Sequence, residues 1–227
     1  MNDSPLVLAL DRKDISSCIS LIDETRDFMG VYKLGLEFFL RNGAEGVRMI
    51  TRTFPELRVF LDLKLHDIPN TVAGAASGLA ELEIEYLTVH ASGGFKMIES
   101  AVKALPACKI TGVTVLTSLD QGQIHELGIR SEIESLTLAL AKLSVSAGAR
   151  AIVASPKEVK LLRNEIPKEI TLITPGIRIE KSNDDQARTL SPSEALREGA
   201  DLLVIGRPIT AASNPREAAR QIYESLL

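Results

Sequence analysis

One pattern constrains the fold of this chain more than any other. A short run rich in Val, Ile, Leu, Thr or Tyr, followed by a stretch of helical periodicity, recurs eight times along its 227 residues. The strand candidates are Leu6–Leu10, Val31–Gly35, Arg58–Lys64, Tyr86–Ala91, Ile110–Leu116, Ala151–Ser155, Thr171–Gly176 and Leu202–Gly206. Apolar runs of this length suit parallel strands buried on both faces. Between them, helices are expected over Ile15–Phe28, Glu37–Thr53, Val72–Leu82, Phe95–Leu105, Glu132–Ala147 and Lys157–Ile166. Gly43 and Gly46 weaken the second of these. Ser155 and Pro156 are expected to open the Lys157 helix, with the proline in its first turn. A seventh helix is expected from Ser191 with Gly199 as its stop, and an eighth capped by Asn214 with Pro215 in its first turn. Eight strand–helix units in a chain of this length predict a single (β/α)8 barrel (TIM barrel) over residues 1–227. The alternative is an open doubly wound sheet, but no Gly-x-Gly-x-x-Gly opens the first unit and no Gly-Lys-Ser/Thr loop is present.

Composition narrows the function. Apolar residues make up 45% and charged residues 25%, enough for a sizeable core, and the net charge of −4 offers no basic field for nucleic acid. No apolar run reaches the length of a membrane span. Met1–Leu8 lacks the zones of a signal peptide, so a cytoplasmic location is expected. Cys18 and Cys108 are far apart and have no Cys or His partner at ligand spacing, which reads as two reduced thiols. His125-Glu126 begins like a zinc-protease motif but lacks its second histidine, so no metal is expected.

In a barrel of this type, reactive groups sit at the carboxyl ends of the strands, and the charges fall there. Asp11 follows the first strand, Lys33 lies in the second, Asp62 and Lys64 end the third and His90 ends the fourth. Thr117 and Ser118 follow the fifth, and Arg207 follows the eighth. A charge within an apolar strand is costly unless paired. A single structural ion pair could explain one such residue, but not several at one end. Strand alternation places Asp62 and Lys64 on one face and Leu61, Leu63 and Leu65 on the other. Asp67 lies beyond the strand end, so an acid–base–acid row around Lys64 is expected. It would hold the lysine charged and suit it to donate a proton. A buried salt bridge closing the barrel is the alternative.

The end of the chain offers an anion site. Leu202–Ile209 reads as a strand, a Gly206 turn, Arg207, and a short helix opened by Pro208, where backbone N–H groups favour phosphate. The polar loop after the seventh strand, Thr174-Pro175-Gly176-Ile177-Arg178 through Gln186, supplies a cation and a neutral donor. It reads either as an active-site lid or as a solvated loop.

Taken together, these stretches resemble the orotidine 5′-monophosphate decarboxylase family over nearly the whole chain. The most specific pieces are Asp62-Leu-Lys-Leu-His-Asp-Ile-Pro-Asn-Thr71, Thr174-Pro-Gly-Ile-Arg178 and Val204-Ile-Gly-Arg-Pro-Ile209, with Val89-His90-Ala91 and Val113–Ser118 in the right order. The resemblance implies a cofactor-free decarboxylation of orotidine 5′-monophosphate to UMP. Lys64 is the implied proton donor, and Asp62, Lys33 and Asp67 are its charge network. Asp11 and Lys33 are implied ribose contacts, and Thr117 and Ser118 meet the pyrimidine. Arg178, Gln186, Gly206 and Arg207 hold the phosphate, with Pro175 bordering the site. The resemblance further implies a homodimer in which Asp67 and Thr71 enter the neighbouring subunit's site.

Two other readings remain at this stage. A metal-dependent phosphosugar decarboxylase or aldolase shares the Asp-x-Lys-x-x-Asp strand. It would need an acid on the second strand, where this chain has Lys33, and the nearest acid, Glu37, falls in the next helix. A non-catalytic nucleotide-binding barrel would need the phosphate grip but not Asp62, Lys64 and Asp67 together.

Overall fold

The computed structural model describes residues 3–176 and 190–226. Its strands are β1 (Leu6–Ala9), β2 (Val31–Gly35), β3 (Val59–Leu65), β4 (Tyr86–His90), β5 (Lys109–Val113), β6 (Ala151–Val153), β7 (Thr171–Thr174) and β8 (Leu202–Ile205). They form a closed barrel in sequence order. Each pairs in parallel with the next, and β8 returns to β1 through Val7 and Val204. The open-sheet alternative is excluded by that closure. Six of the strands end one to three residues earlier than the apolar runs suggested, most clearly β5 at Val113 rather than Leu116, while β2 ends as expected and β3 one residue later. The surplus residues form the mouth loops.

The helices are α1 (Ile15–Thr25), α2 (Leu36–Thr53), α3 (Pro69–Ser77), α4 (Phe95–Ala104), α5 (Gln121–Glu126), α6 (Ile133–Ser146), α7 (Val159–Glu165), α8 (Pro192–Arg197), α9 (Arg207–Thr210) and α10 (Pro215–Glu224). Local chemistry explains several of their ends. The Asn214 side chain accepts from the Glu217 N–H, and Ser191 and Glu194 form a reciprocal capping box. Gly43 interrupts α2 with a φ of +61°, which a residue with a Cβ adopts only at a cost. Two helical expectations need correction, and one short helix was not foreseen. Pro156 lies in a turn ahead of α7 rather than in its first turn. The third helix starts at Pro69, where proline suits the first turn, not at Val72. The stretch that carries His125 and Glu126 is a separate short helix, capped by Asp120 and Gln123.

The core has two parts. Leu8, Leu34, Leu61 and Leu87 pack outward against the helices, while Val7, Val31, Phe60, Tyr86, Ala151, Ile173 and Leu202 fill the barrel axis. Phe60 and Tyr86 meet edge to face at 5.7 Å and form part of this floor. Two residues further along each strand the same inward face continues, so Lys33, Asp62 and Thr88 stand one layer above Val31, Phe60 and Tyr86. Cys18 and Cys108 are free and buried, and burial pushes their thiols up to about 11 and about 12.

At the opposite end of the barrel, Glu85 ties three strand starts together. The Arg58 Nε and Nη2 donate to its two oxygens at 2.6 and 3.0 Å, and the Lys109 Nζ donates at 2.9 Å. Burial alone would raise the Glu85 carboxyl, but the hydrogen bonds and charges of Arg58 and Lys109 outweigh it and hold the group at about 2. A carboxylate depressed in the folded state contributes stability above its unfolded value, lost as pH falls through the folded one. Arg58 and Lys109 are about a third exposed, so solvent screening reduces the contribution to about 2 kcal/mol. Glu85→Gln should therefore lower stability by about that amount at pH 7. In urea titrations the gap to the native chain should narrow below pH 4.5 and close near pH 2. A gap independent of pH would show that the ion pairs are not its cause.

Candidate active site

The mouth of the barrel is built around β3, which is not a regular strand. It pairs with β4 through Leu61–Leu87 and again through Leu65–Val89. Asp62, Leu63 and Lys64 therefore stand opposite Thr88 alone. A bulge of this kind bends the strand and re-aims its side chains. Lys64 takes up the distortion with a φ of +50°, a left-handed conformation costing about 1–2 kcal/mol for a residue with a Cβ. Plain alternation was thus a sufficient guide to which face carries the charges, but the bulge sets their final geometry.

The result is a close ionic row. The Lys64 Nζ donates to both Asp62 oxygens at 2.8 and 2.9 Å, and the Lys33 Nζ lies 3.3 Å from the Asp62 Oδ2. The Asp62 and Lys33 side chains are mostly buried, whereas Lys64 is 37% exposed and faces the cavity. Burial alone would raise the Asp62 carboxyl. The charges of Lys33 and Lys64, with hydrogen bonds from Lys64 and Thr88, outweigh it and hold it below its ordinary value. His90, at the end of β4, lies 5.4 Å from His66 ring to ring. Burial, and then the charges of His66 and Lys64, pull its imidazole below the usual range against the opposing pull of Asp62.

The expected acid–base–acid row is not formed within one chain. Asp67 is exposed, and its carboxylate accepts from the N–H of Ile68 at 2.6 Å. Among the described residues the row is base–acid–base: Lys33, Asp62, Lys64. The bulge turns Lys64 inward, and the chain then leaves the barrel before Asp67, so Asp67 and Thr71 are both exposed.

Among the described residues, adjoining cavities open at the row and along the mouth. A narrow one of about 160 Å³ is lined by Lys33, Asp62, Lys64, Thr117 and Pro175 above Phe60. A second, of about 250 Å³, adds Asp11 and Arg12 beside the same charged trio. The largest, about 950 Å³, runs along the mouth past Thr117, Ser118, Lys157, Pro175 and Arg207. Thr117 and Pro175 line both the narrow and the large cavity, so a ligand could extend continuously from Lys64 to Arg207. Gly206 borders the β1 side: a Cβ there would stand in ordinary contact, 3.6 Å, with the Asp11 Oδ2. The turn after β8 offers less backbone than expected, because the N–H groups of Ile209 and Thr210 donate to the Gly206 carbonyl and Pro208 has none. Its anion-binding capacity is left to the Gly206 and Arg207 backbone and the Arg207 side chain. Arg12, which donates to the Thr210 carbonyl, ties this turn to the end of β1.

Of the residues expected at the site, Asp11, Lys33, Asp62, Lys64, Thr117, Ser118, Pro175, Gly206 and Arg207 are brought together. Asp67 and Thr71 are not, and Arg178 and Gln186 lie outside the described residues. Sequence reasoning missed Thr88, Arg12 and Lys157. Thr88 is one of several threonines in apolar runs, and only the bulge opposite it distinguishes it. Among the described residues, no three His, Cys, Asp or Glu side chains gather where a metal ion could be held.

Comparison with known proteins adds kinship to this geometry. Residues 4–222 match the family described as "Orotidine 5'-phosphate decarboxylase / HUMPS family". A protein named orotidine 5′-phosphate decarboxylase from Wolbachia pipientis subsp. Culex pipiens is 45% identical over 225 residues, covering 98% of this chain and 99% of its own length. One of the same name from Thermobifida fusca is 46% identical over 224 residues, covering 98% and 96%. The crystal structure of orotidine 5′-phosphate decarboxylase from Lactobacillus acidophilus superposes with a TM-score of 0.86 at 34% identity, covering 98% and 99%. Matched over nearly its whole length, the chain belongs to the orotidine 5′-phosphate decarboxylase / HUMPS family.

Proposed function

We propose that this chain decarboxylates orotidine 5′-monophosphate to UMP and carbon dioxide, the last step of pyrimidine nucleotide synthesis, and that residues 1–227 act as one catalytic domain in the cytoplasm. The observation that carries this reading is the Lys33–Asp62–Lys64 row, a buried carboxylate between two ammonium groups above an apolar floor. Kinship with named decarboxylases supports it.

The reaction breaks the bond between carbon 6 of the pyrimidine and its carboxylate. The electron pair stays on carbon 6, in the ring plane, where no π system can spread it. The protein must therefore stabilise the charge directly. An ammonium fixed beside carbon 6 does so without reorganising, and then delivers its proton to the carbanion. Lys64 takes that role because its Nζ both lines the cavity and is held by Asp62. Asp62 positions Lys64 and Lys33. Asp11 and Lys33 bind the ribose, and Thr117 and Ser118 meet the pyrimidine, bordered by Pro175. Arg207, next to Gly206, grips the phosphate, with Arg178 and Gln186 assigned to the same group. Phosphate binding far from carbon 6 supplies energy that can be spent on orienting the reacting end.

The phosphosugar reading fits less well. Its metal would need an acid where β2 presents Lys33, and Glu37 instead pairs with Arg41 at 3.2 Å. Loss of the ultraviolet absorbance of orotidylate, followed in excess chelator, tests the choice. Undiminished turnover is expected; activity that vanishes and returns with magnesium would contradict the metal-free mechanism, and none under either condition would refute the decarboxylase and leave the phosphosugar reading.

The homodimer belongs to the same proposal. Exposed Ile68, at 67% accessibility, sits between Asp67 and Thr71, and exposed Phe95 opens the helix that packs beside α3. An apolar patch flanked by polar groups suits a symmetric interface that carries Asp67 and Thr71 into the partner's site. Mixing Asp67→Ala with Lys64→Ala protein should then restore activity, because one site of each heterodimer carries both defects and the other none. With subunit exchange verified, no restoration would place Asp67 in its own subunit's site.

A further inference from the structure

We infer that Thr88 is a positioning residue for the decarboxylation proposed above: its single hydroxyl fixes Lys64 through the backbone and Asp62 through the carboxylate. The side chain lies fully buried on β4, directly opposite the bulge. The Lys64 backbone N–H donates to the Thr88 Oγ1 at 2.8 Å, and that oxygen lies 2.9 Å from the Asp62 Oδ1. An ionised carboxylate can only accept, so the hydroxyl proton must point to Asp62. With one lone pair taken by the amide and its proton by the carboxylate, the hydroxyl has one orientation. Hydrogen bonds in such a chain polarise one another in the same direction.

This arrangement serves two needs of the site at once. Lys64 has left the regular ladder, and its left-handed backbone needs an acceptor that β4 cannot provide as a carbonyl in register. The Asp62 Oδ1 must remain fixed while it also accepts from the Lys64 Nζ. Thr88 therefore sets the distance between the backbone of Lys64 and the carboxylate that holds its ammonium. It does so without touching the cavities, whose linings do not include it. Among the described residues, the charged and titratable groups around Asp62 are Lys33 from β2, Lys64 from β3, His90 from β4, His66 after the bulge, Asp11 and Arg12 from the end of β1, and Glu37 from the first turn of α2. Among the described residues that donate to the carboxylate, the threonine does so without bearing charge. Its loss should therefore raise the acidic limb of the pH profile while substrate affinity stays nearly intact.

The test compares Thr88→Val, which keeps the shape and removes the hydroxyl, with Thr88→Ser, which keeps the hydroxyl. Thr88→Val should lower kcat on orotidylate by about ten- to a hundredfold, as expected for a lost hydrogen bond to a charged group. Its KM should change less than about threefold, and the acidic limb of kcat should move to higher pH. Thr88→Ser should recover most of the rate and return the limb. If Thr88→Val does not fold, Thr88→Cys, with a weak donor of similar size, should show the same direction of change. A kcat within about twofold of the native value in the folded variant, or an equal loss in Thr88→Ser, would overturn the inference. Inactivity of the native chain on orotidylate would instead overturn the decarboxylase reading, so the two failures are distinct.

Discussion

The site depends on one buried carboxylate that two ammonium groups share. Placing Asp62 in the barrel interior is unfavourable by itself, because burial penalises the charged form. The side chain is held ionised because Lys33 and Lys64 lie within 3.3 and 2.8 Å of it. The dependence runs both ways, since two ammonium groups this close to the axis would repel each other without the carboxylate between them. Removing one member of the row would leave the others uncompensated. The row therefore reads as a unit, and in the proposed reaction the substrate carboxylate enters it as a further charge.

The scaffold keeps that unit in place by separating duties along each strand. The lower inward layer, with Val31, Phe60 and Tyr86, is apolar and packed, and it supports the charged layer from beneath. The outward residues fix the strands against the helices. At the far end, the network around Glu85 ties the starts of three strands, away from the mouth. Among the described residues, the bulge in β3 is the one register shift between paired strands, and it falls at Lys64. A backbone conformation that costs stability persists there because the pairing on either side and the Thr88 hydroxyl over-determine it.

Much of the fold and the site was legible in the sequence, for identifiable reasons. Buried parallel strands are written as uninterrupted apolar runs, so all eight were found, although such runs do not mark where pairing stops and a mouth loop begins. Charges within apolar runs marked Lys33, Asp62 and Lys64, because a charge there is unfavourable without a partner. Caps at Ser191 and Asn214 were readable because their chemistry is local. What was not readable depends on distant residues. Thr88 becomes informative only when a bulge on another strand faces it. The exposed position of Asp67 depends on how the chain turns after Leu65, which spacing along a strand cannot express. The short helix at Gln121–Glu126 is held by an Asp120 cap in a segment too brief for periodicity to register.

The central claim is that an ammonium at position 64 stabilises charge at carbon 6 and protonates it. The most direct measurement is single-turnover decarboxylation of orotidylate by Lys64→Ala, with folding verified by its thermal transition. Native turnover in heavy water, with the product isolated, accompanies it. The account predicts a folded variant whose chemical step is slower by at least roughly 10²–10³-fold, the loss expected of one preorganised electrostatic group, and deuterium at carbon 6 of the native product. A folded Lys64→Ala chain that turns over at close to the native rate would contradict it, and would leave Lys64 as an ion-pair partner of Asp62 with no part in the chemistry.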